Sequence, residues 1–164
     1  MSEPKSYLTI QIILHWTIAA LVIFQLVVNE DMQRAFAERV ADGDMDIAGF
    51  ALVHMAVGIT VLVLAVLRLG IRLNRGVPPP HGDAIAVIVW LGQATHLLLY
   101  GFIFFMPLTG AIAWFFGIEL SAVLHEIGRL ILVPAIGFHV VGALAEHFVY
   151  RNNTLKRMLW SSGD

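Results

Sequence analysis

The chain of 164 residues contains no cysteine. That absence excludes disulfides, thiolate-held zinc, iron–sulfur clusters and the CxxCH motif that attaches a haem covalently. Charge is scarce as well: 13% of residues are Asp, Glu, Lys or Arg, about half the share in a soluble domain. The 10 basic residues are scattered, which leaves no surface for nucleic acid. Gly-rich phosphate loops and the HExxH and GxSxG motifs are missing too. What remains is apolar, with 59% hydrophobic residues, the composition of a membrane protein of one domain.

The hydrophobic runs predict an all-α fold, a single domain over 1–164 with four transmembrane helices at about 7–28, 48–73, 84–106 and 121–149. In the N-terminal stretch MSEPKSYLTIQIILHW a basic residue precedes an apolar run that reaches Val28 without a small-residue cleavage motif, the pattern of a retained anchor helix. The connection from Asn29 to Ile47 carries Glu30, Asp31, Glu38, Asp42, Asp44 and Asp46 against Arg34 and Arg39, and reads as an acidic, water-facing loop. In RGVPPPHGD the prolines end the second helix, Asp83 is placed to N-cap the third, and His81 is a solvated loop residue.

The apolar stretch from Ala84 to Phe116 is 33 residues, long for one crossing. Pro107 and Gly110 mark a break or kink in it, with the helix read to about 106 and followed by an irregular or re-entrant piece to about Gly117. Pro134 should bend the last helix and free the Leu130 carbonyl. The tail RNNTLKRMLW is basic and suited to the membrane surface. Lys5, Arg68, Arg72, Arg75, Arg151, Lys156 and Arg157 fall on one side, which the positive-inside rule assigns to the cytoplasm together with both termini.

Three of the seven histidines lie between Ser121 and Arg151. His125 and His139 are 14 residues apart, about 21 Å along a helix and within roughly 40° of one face. Each is followed three residues later by glycine, Gly128 and Gly142, so a flat ligand could lie beside each imidazole. Counting from the helix ends puts His54 and His125 near the outer surface and His15 and His139 in the inner half. Two imidazoles on facing helices are the usual ligands of a b-type haem, so the two pairs predict two non-covalent haem b groups. His96 reaches the inner level as well, and depth alone leaves it a competing ligand. Arg68 and Arg72 lie at the depth where haem carboxylates would need cations, and Arg129 stands near the outer pair.

Blander readings exist for each residue. A lone membrane histidine can simply bond a neighbouring helix, arginines snorkel, glycines let helices approach, and Trp16, Trp90, Trp114 and Trp160 serve as interfacial anchors. Four histidines at two matched depths outweigh these readings taken together.

The ordered set His15-Trp16, His54, Arg68 and Arg72 in VLRLGIRL, His96 in THLLLY, His125-Glu126, Gly137-Phe138-His139 and the Asn153-Thr154-Leu155 tail resembles the prokaryotic cytochrome b561 family over nearly the whole chain. The resemblance implies a four-helix di-haem protein of the bacterial inner membrane, with His15 and His139 holding the inner haem and His54 and His125 the outer one. His96 and His147 then become candidates for a quinone site or for contacts to the ligands. It also implies an enzyme that oxidises superoxide at the outer haem and reduces ubiquinone at the inner one. The acidic first loop repels an anion and suits a basic protein. That keeps open a second reading, an electron-relay anchor exchanging electrons between quinone and a periplasmic redox partner.

Overall fold

The structure is a computed structural model that describes residues 6–28, 30–42, 49–79 and 86–159. Lys5, Asp44, Asp46, His81, Asp83 and Trp160 lie outside the described residues. All regular elements among the described residues are helical: α1 (Thr9–Val27), α2 (Glu30–Asp42), α3 (Gly49–Arg75), α4 (Ala86–Phe116), α5 (Glu119–Phe148) and α6 (Thr154–Leu159). Four of them, α1, α3 from Ala51 onward, α4 and α5, are long and apolar enough to cross a membrane. Even the shortest, at 19 residues, extends about 28 Å, close to the hydrocarbon thickness.

The apolar surface faces outward. Val27, Leu73, Leu97 and Phe116 are each about three-quarters exposed, whereas half of the buried apolar residues are small or slender: Ala51, Ala65, Ala113, Ala135 and Val61. In lipid, apolar side chains gain nothing by leaving the surface, and small residues let helix backbones approach, so this is the expected distribution. In space α1 packs on α3, α3 on α4 and α4 on α5, with α2 against α3 and α6 against α5. The His15 ring of α1 meets that of His139 of α5 and so joins the first and last long helices. The bundle has a loop side, with α2 and the α4–α5 turn, and a tail side, with α6.

One buried polar residue knits the tail side. Gln11 is 5% exposed; its Oε1 accepts from the Leu8 N–H at the start of α1, and its Nε2 donates to the Gly76 carbonyl beyond α3. Gly76 takes φ 73°, the left-handed conformation that closes α3, with its N–H on the Arg72 carbonyl.

The structure corrects two expectations. The Asn29–Ile47 connection is not simply a loop, since residues 30–42 form α2. Met32, Ala35, Phe36 and Val40 recur at helical spacing, and Arg39 stands in the last turn, where a cation complements the helix dipole. The break assigned to Pro107 is also absent: α4 runs through it to Phe116. A chain that left the helix inside lipid would strand several backbone groups, a larger cost than one missing bond. The Thr109 hydroxyl instead bonds the Phe105 and Met106 carbonyls beside the proline.

Candidate functional site

On the loop side, His54 in the second turn of α3 faces His125 in the second turn of α5, with ring centroids 6.3 Å apart and planes at 69°. On the tail side, His15 of α1 faces His139 of α5 at 6.1 Å and 71°. Two imidazoles sharing a metal, with bonds of about 2 Å and roughly 1 Å more from nitrogen to ring centre, stand about 6 Å apart. Both pairs have that spacing. His96 of α4 also reaches His139, but at 5.1 Å the two rings touch each other directly.

The His125 ring is fixed by α4. Its Nδ1 lies 2.9 Å from the Met106 carbonyl, to which it donates as the N–H tautomer, and 3.3 Å from the Thr109 hydroxyl. That leaves Nε2 free for a metal, the usual division of labour in a ligating histidine. Gly110 makes the approach possible, because a Cβ there would stand 3.2 Å from His125 Cε1. Ser121 locks the helix pair by donating to the Thr109 carbonyl at 2.8 Å. Opposite, Gln25 donates to the His54 backbone carbonyl at 2.8 Å across Gly58. Both rings line an apolar pocket with Met32, Phe36, Phe102, Met106 and Trp114.

The tail side is more polar. His96 Nδ1 lies 2.7 Å from the Gly92 carbonyl of its own helix. Arg68 donates to the Gln11 carbonyl at 2.5 Å, and Arg72 sits over the Tyr100 ring at 5.6 Å. Among the described residues neither arginine has a carboxylate partner, so both charges are available to an anionic group. His147 packs edge-on against Phe148, with its Nδ1 buried and unpaired.

Several sequence expectations change here. The wall beside Gly128 is filled by Met106 and Phe105, whose atoms a Cβ would meet at 2.7 and 3.1 Å, so this glycine serves α4–α5 packing. Gly142 has nothing within 4 Å of its Cβ position. Arg129 pairs with Glu126. Trp114 is 1% exposed and lines the loop-side pocket, so it is not an interfacial anchor. Sequence reasoning missed Thr109, Ser121 and the contact between Gly110 and His125; the cluster Pro107, Thr109, Gly110 was their only local signal.

Among the described residues no group of three or more His, Cys, Asp or Glu is placed to bind a bare ion. Paired imidazoles in apolar walls suit a planar metal cofactor that brings its other ligands with it. Spanning helices with facing histidines at two depths define a membrane b-type cytochrome bundle. Residues 6–161 match the profile of prokaryotic cytochrome b561, and the chain belongs to that family of haem b-binding membrane electron-transfer proteins. It is 32% identical to cytochrome b562 of Cereibacter sphaeroides over 97% of this chain and 98% of that protein. It is 29% identical to the probable superoxide oxidase CybB of Yersinia pestis, over 94% of this chain and 96% of that one.

Proposed function

We propose that this protein holds two haem b groups, one between His54 and His125 and one between His15 and His139, and uses them to oxidise superoxide on the loop side and reduce ubiquinone on the tail side. The observation that carries the reading is the pair of imidazole separations, 6.3 and 6.1 Å, at opposite ends of one bundle. A bound haem b supplies a one-electron couple. The residues supply the rest. The Met106 carbonyl orients His125, Arg68 and Arg72 offer cations for haem carboxylates, and Gly142 leaves room beside the tail-side pair. His96 and His147 offer imidazoles where a quinone would take up protons.

Two superoxide anions each lose one electron to become dioxygen, and one quinone takes two electrons and two protons to become the quinol. The choice of donor is supported by the name of the Yersinia relative. Arg68, Arg72, Arg75, Arg151, Lys156 and Arg157 all lie toward the tail side, and the positive-inside rule supports the reading that this side and both termini face the cytoplasm at the bacterial inner membrane.

The test is an anaerobic reduced-minus-oxidised spectrum of the detergent-purified protein with pyridine-haem quantification, then stopped-flow mixing with superoxide. We expect two b haems per chain, one after His125→Ala, and haem reduction faster than spontaneous dismutation. Fewer than two haems in the wild type would refute the ligand assignment. Two haems that superoxide does not reduce would instead favour a basic protein donor docked on the acidic connection between α1 and α3.

A further inference from the structure

Trp16 directly follows the tail-side histidine His15, and the two rings meet edge-on with centroids 5.3 Å apart. The indole N–H is directed elsewhere: it donates to the Met158 carbonyl of α6 at 2.7 Å, across 142 residues of sequence. Met158 lies in the last turn of α6, where carbonyls have no donor within the helix. Trp16 therefore caps that helix from outside. A second tie runs from Arg157 to the Pro79 carbonyl, at 3.2 Å, in the connection after α3. A third holds the entry to α6, where Asn152 donates to Glu146 of α5 and accepts from the Thr154 N–H, both at 3.1 Å.

α6 has only 6 residues, too few to persist as a free helix, so its position depends on these ties. They run to the third turn of α1, to the connection after α3 and to the end of α5; these helices carry His15, Arg68 with Arg72, and His139 with His147. We propose that α6 is the cover of the tail-side cofactor site, and that Trp16 is the positioning residue that latches it. The proposal rests on haem binding between His15 and His139. A ferric haem carries one more positive charge than a ferrous one, and a low-dielectric cover disfavours that charge. Releasing α6 should therefore shift the tail-side couple toward the oxidised form.

The test compares the wild type with Trp16→Phe, which keeps an aromatic ring and removes the N–H, in the full-length chain and in one ending at Asn153. Trp90→Phe, at an exposed position, is the control. In the full chain Trp16→Phe should speed tryptic cleavage after Lys156 and Arg157 several-fold, as loss of one hydrogen bond allows. It should also move the tail-side reduction equilibrium up to about tenfold toward ferric, ~59 mV for one electron, without moving the loop-side couple. In the chain ending at Asn153 the shift should already be present and Trp16→Phe should add nothing. Unchanged cleavage, or an equal shift from Trp16→Phe with and without α6, would overturn the latch. A wild type without a tail-side haem would refute the ligand assignment and the cover together, while the cleavage rates would still judge the Trp16 tie alone.

Discussion

One added methyl group at Gly110 tests the loop-side site most directly. An alanine Cβ there would stand 3.2 Å from His125 Cε1 and 3.3 Å from Nδ1, inside the ~3.5–4.0 Å of an ordinary contact. The ring has little freedom to retreat, because its Nδ1 is bonded to the Met106 carbonyl and touches the Thr109 hydroxyl. Helix α4 cannot back away either: Ser121 holds the Thr109 carbonyl, and Met106 is lodged over Gly128. The displacement therefore falls on the imidazole. Overpacking of this kind costs about 1–3 kcal/mol, and disturbing the groups that orient a metal ligand weakens binding about 10–100-fold. On the proposed two-haem reading, purified Gly110→Ala should keep the tail-side haem and lose most of the loop-side one, so pyridine-haem content falls from two per chain toward one. Gly101→Ala is the matched control, since nothing lies within 4 Å of its Cβ position. It should retain both haems and gain about 0.5–1 kcal/mol of helix stability. Full haem content and an unchanged spectrum in Gly110→Ala, or equal loss in Gly101→Ala, would refute the reasoning.

On the same reading His139→Ala should remove the tail-side haem, while His96→Ala keeps both, because on the tail side the 6.1 Å His15–His139 pair leaves room for a metal and the 5.1 Å His96–His139 pair does not. Loss of a haem in His96→Ala but not in His139→Ala would transfer the ligand role to His96. Ser121→Ala leaves the Thr109 carbonyl without the buried hydroxyl it now accepts from, at a cost of about 1–1.5 kcal/mol. A fall of a few degrees in Tm, followed by circular dichroism, should show it; an unchanged Tm would mean that the α4–α5 pair does not depend on this bond.

The four spans were legible because lipid imposes a length and a composition on any segment that crosses it, and both are written in the sequence. The histidine depths were legible for the same reason: counting from charged boundaries is counting along a rigid rod. Pro107 shows the limit. In water a proline within a long apolar run argues for a helix end, whereas here the Thr109 hydroxyl bonds the carbonyls beside it and the helix continues. α2 was obscured by its six-acid neighbourhood, although Met32, Phe36 and Val40 held the helical period all along. Thr109, Gly110 and Ser121 matter only through contacts between α4 and α5, and no local pattern encodes which face of one helix meets the other. Trp114 was misread because tryptophan near a membrane boundary is usually an anchor, and burial is a property of the packed bundle.

The two sites are also built differently, and the difference bears on what each can do. His125 is held by a carbonyl and a hydroxyl of α4 before any cofactor arrives, whereas among the described residues neither His15 nor His139 makes a hydrogen bond. A carbonyl on Nδ1 makes the imidazole a more basic ligand and so favours ferric over ferrous iron. Two arginines beside the tail-side pair, without a carboxylate partner among the described residues, act in the opposite direction, since nearby positive charge favours the less positive, reduced iron. In the reading proposed here, both effects make the loop-side site the better donor and the tail-side site the better acceptor. A bundle with this arrangement draws electrons from the α2 end toward the α6 end, and a cover on the tail side reinforces that direction by keeping water from the site where the reduced form is favoured.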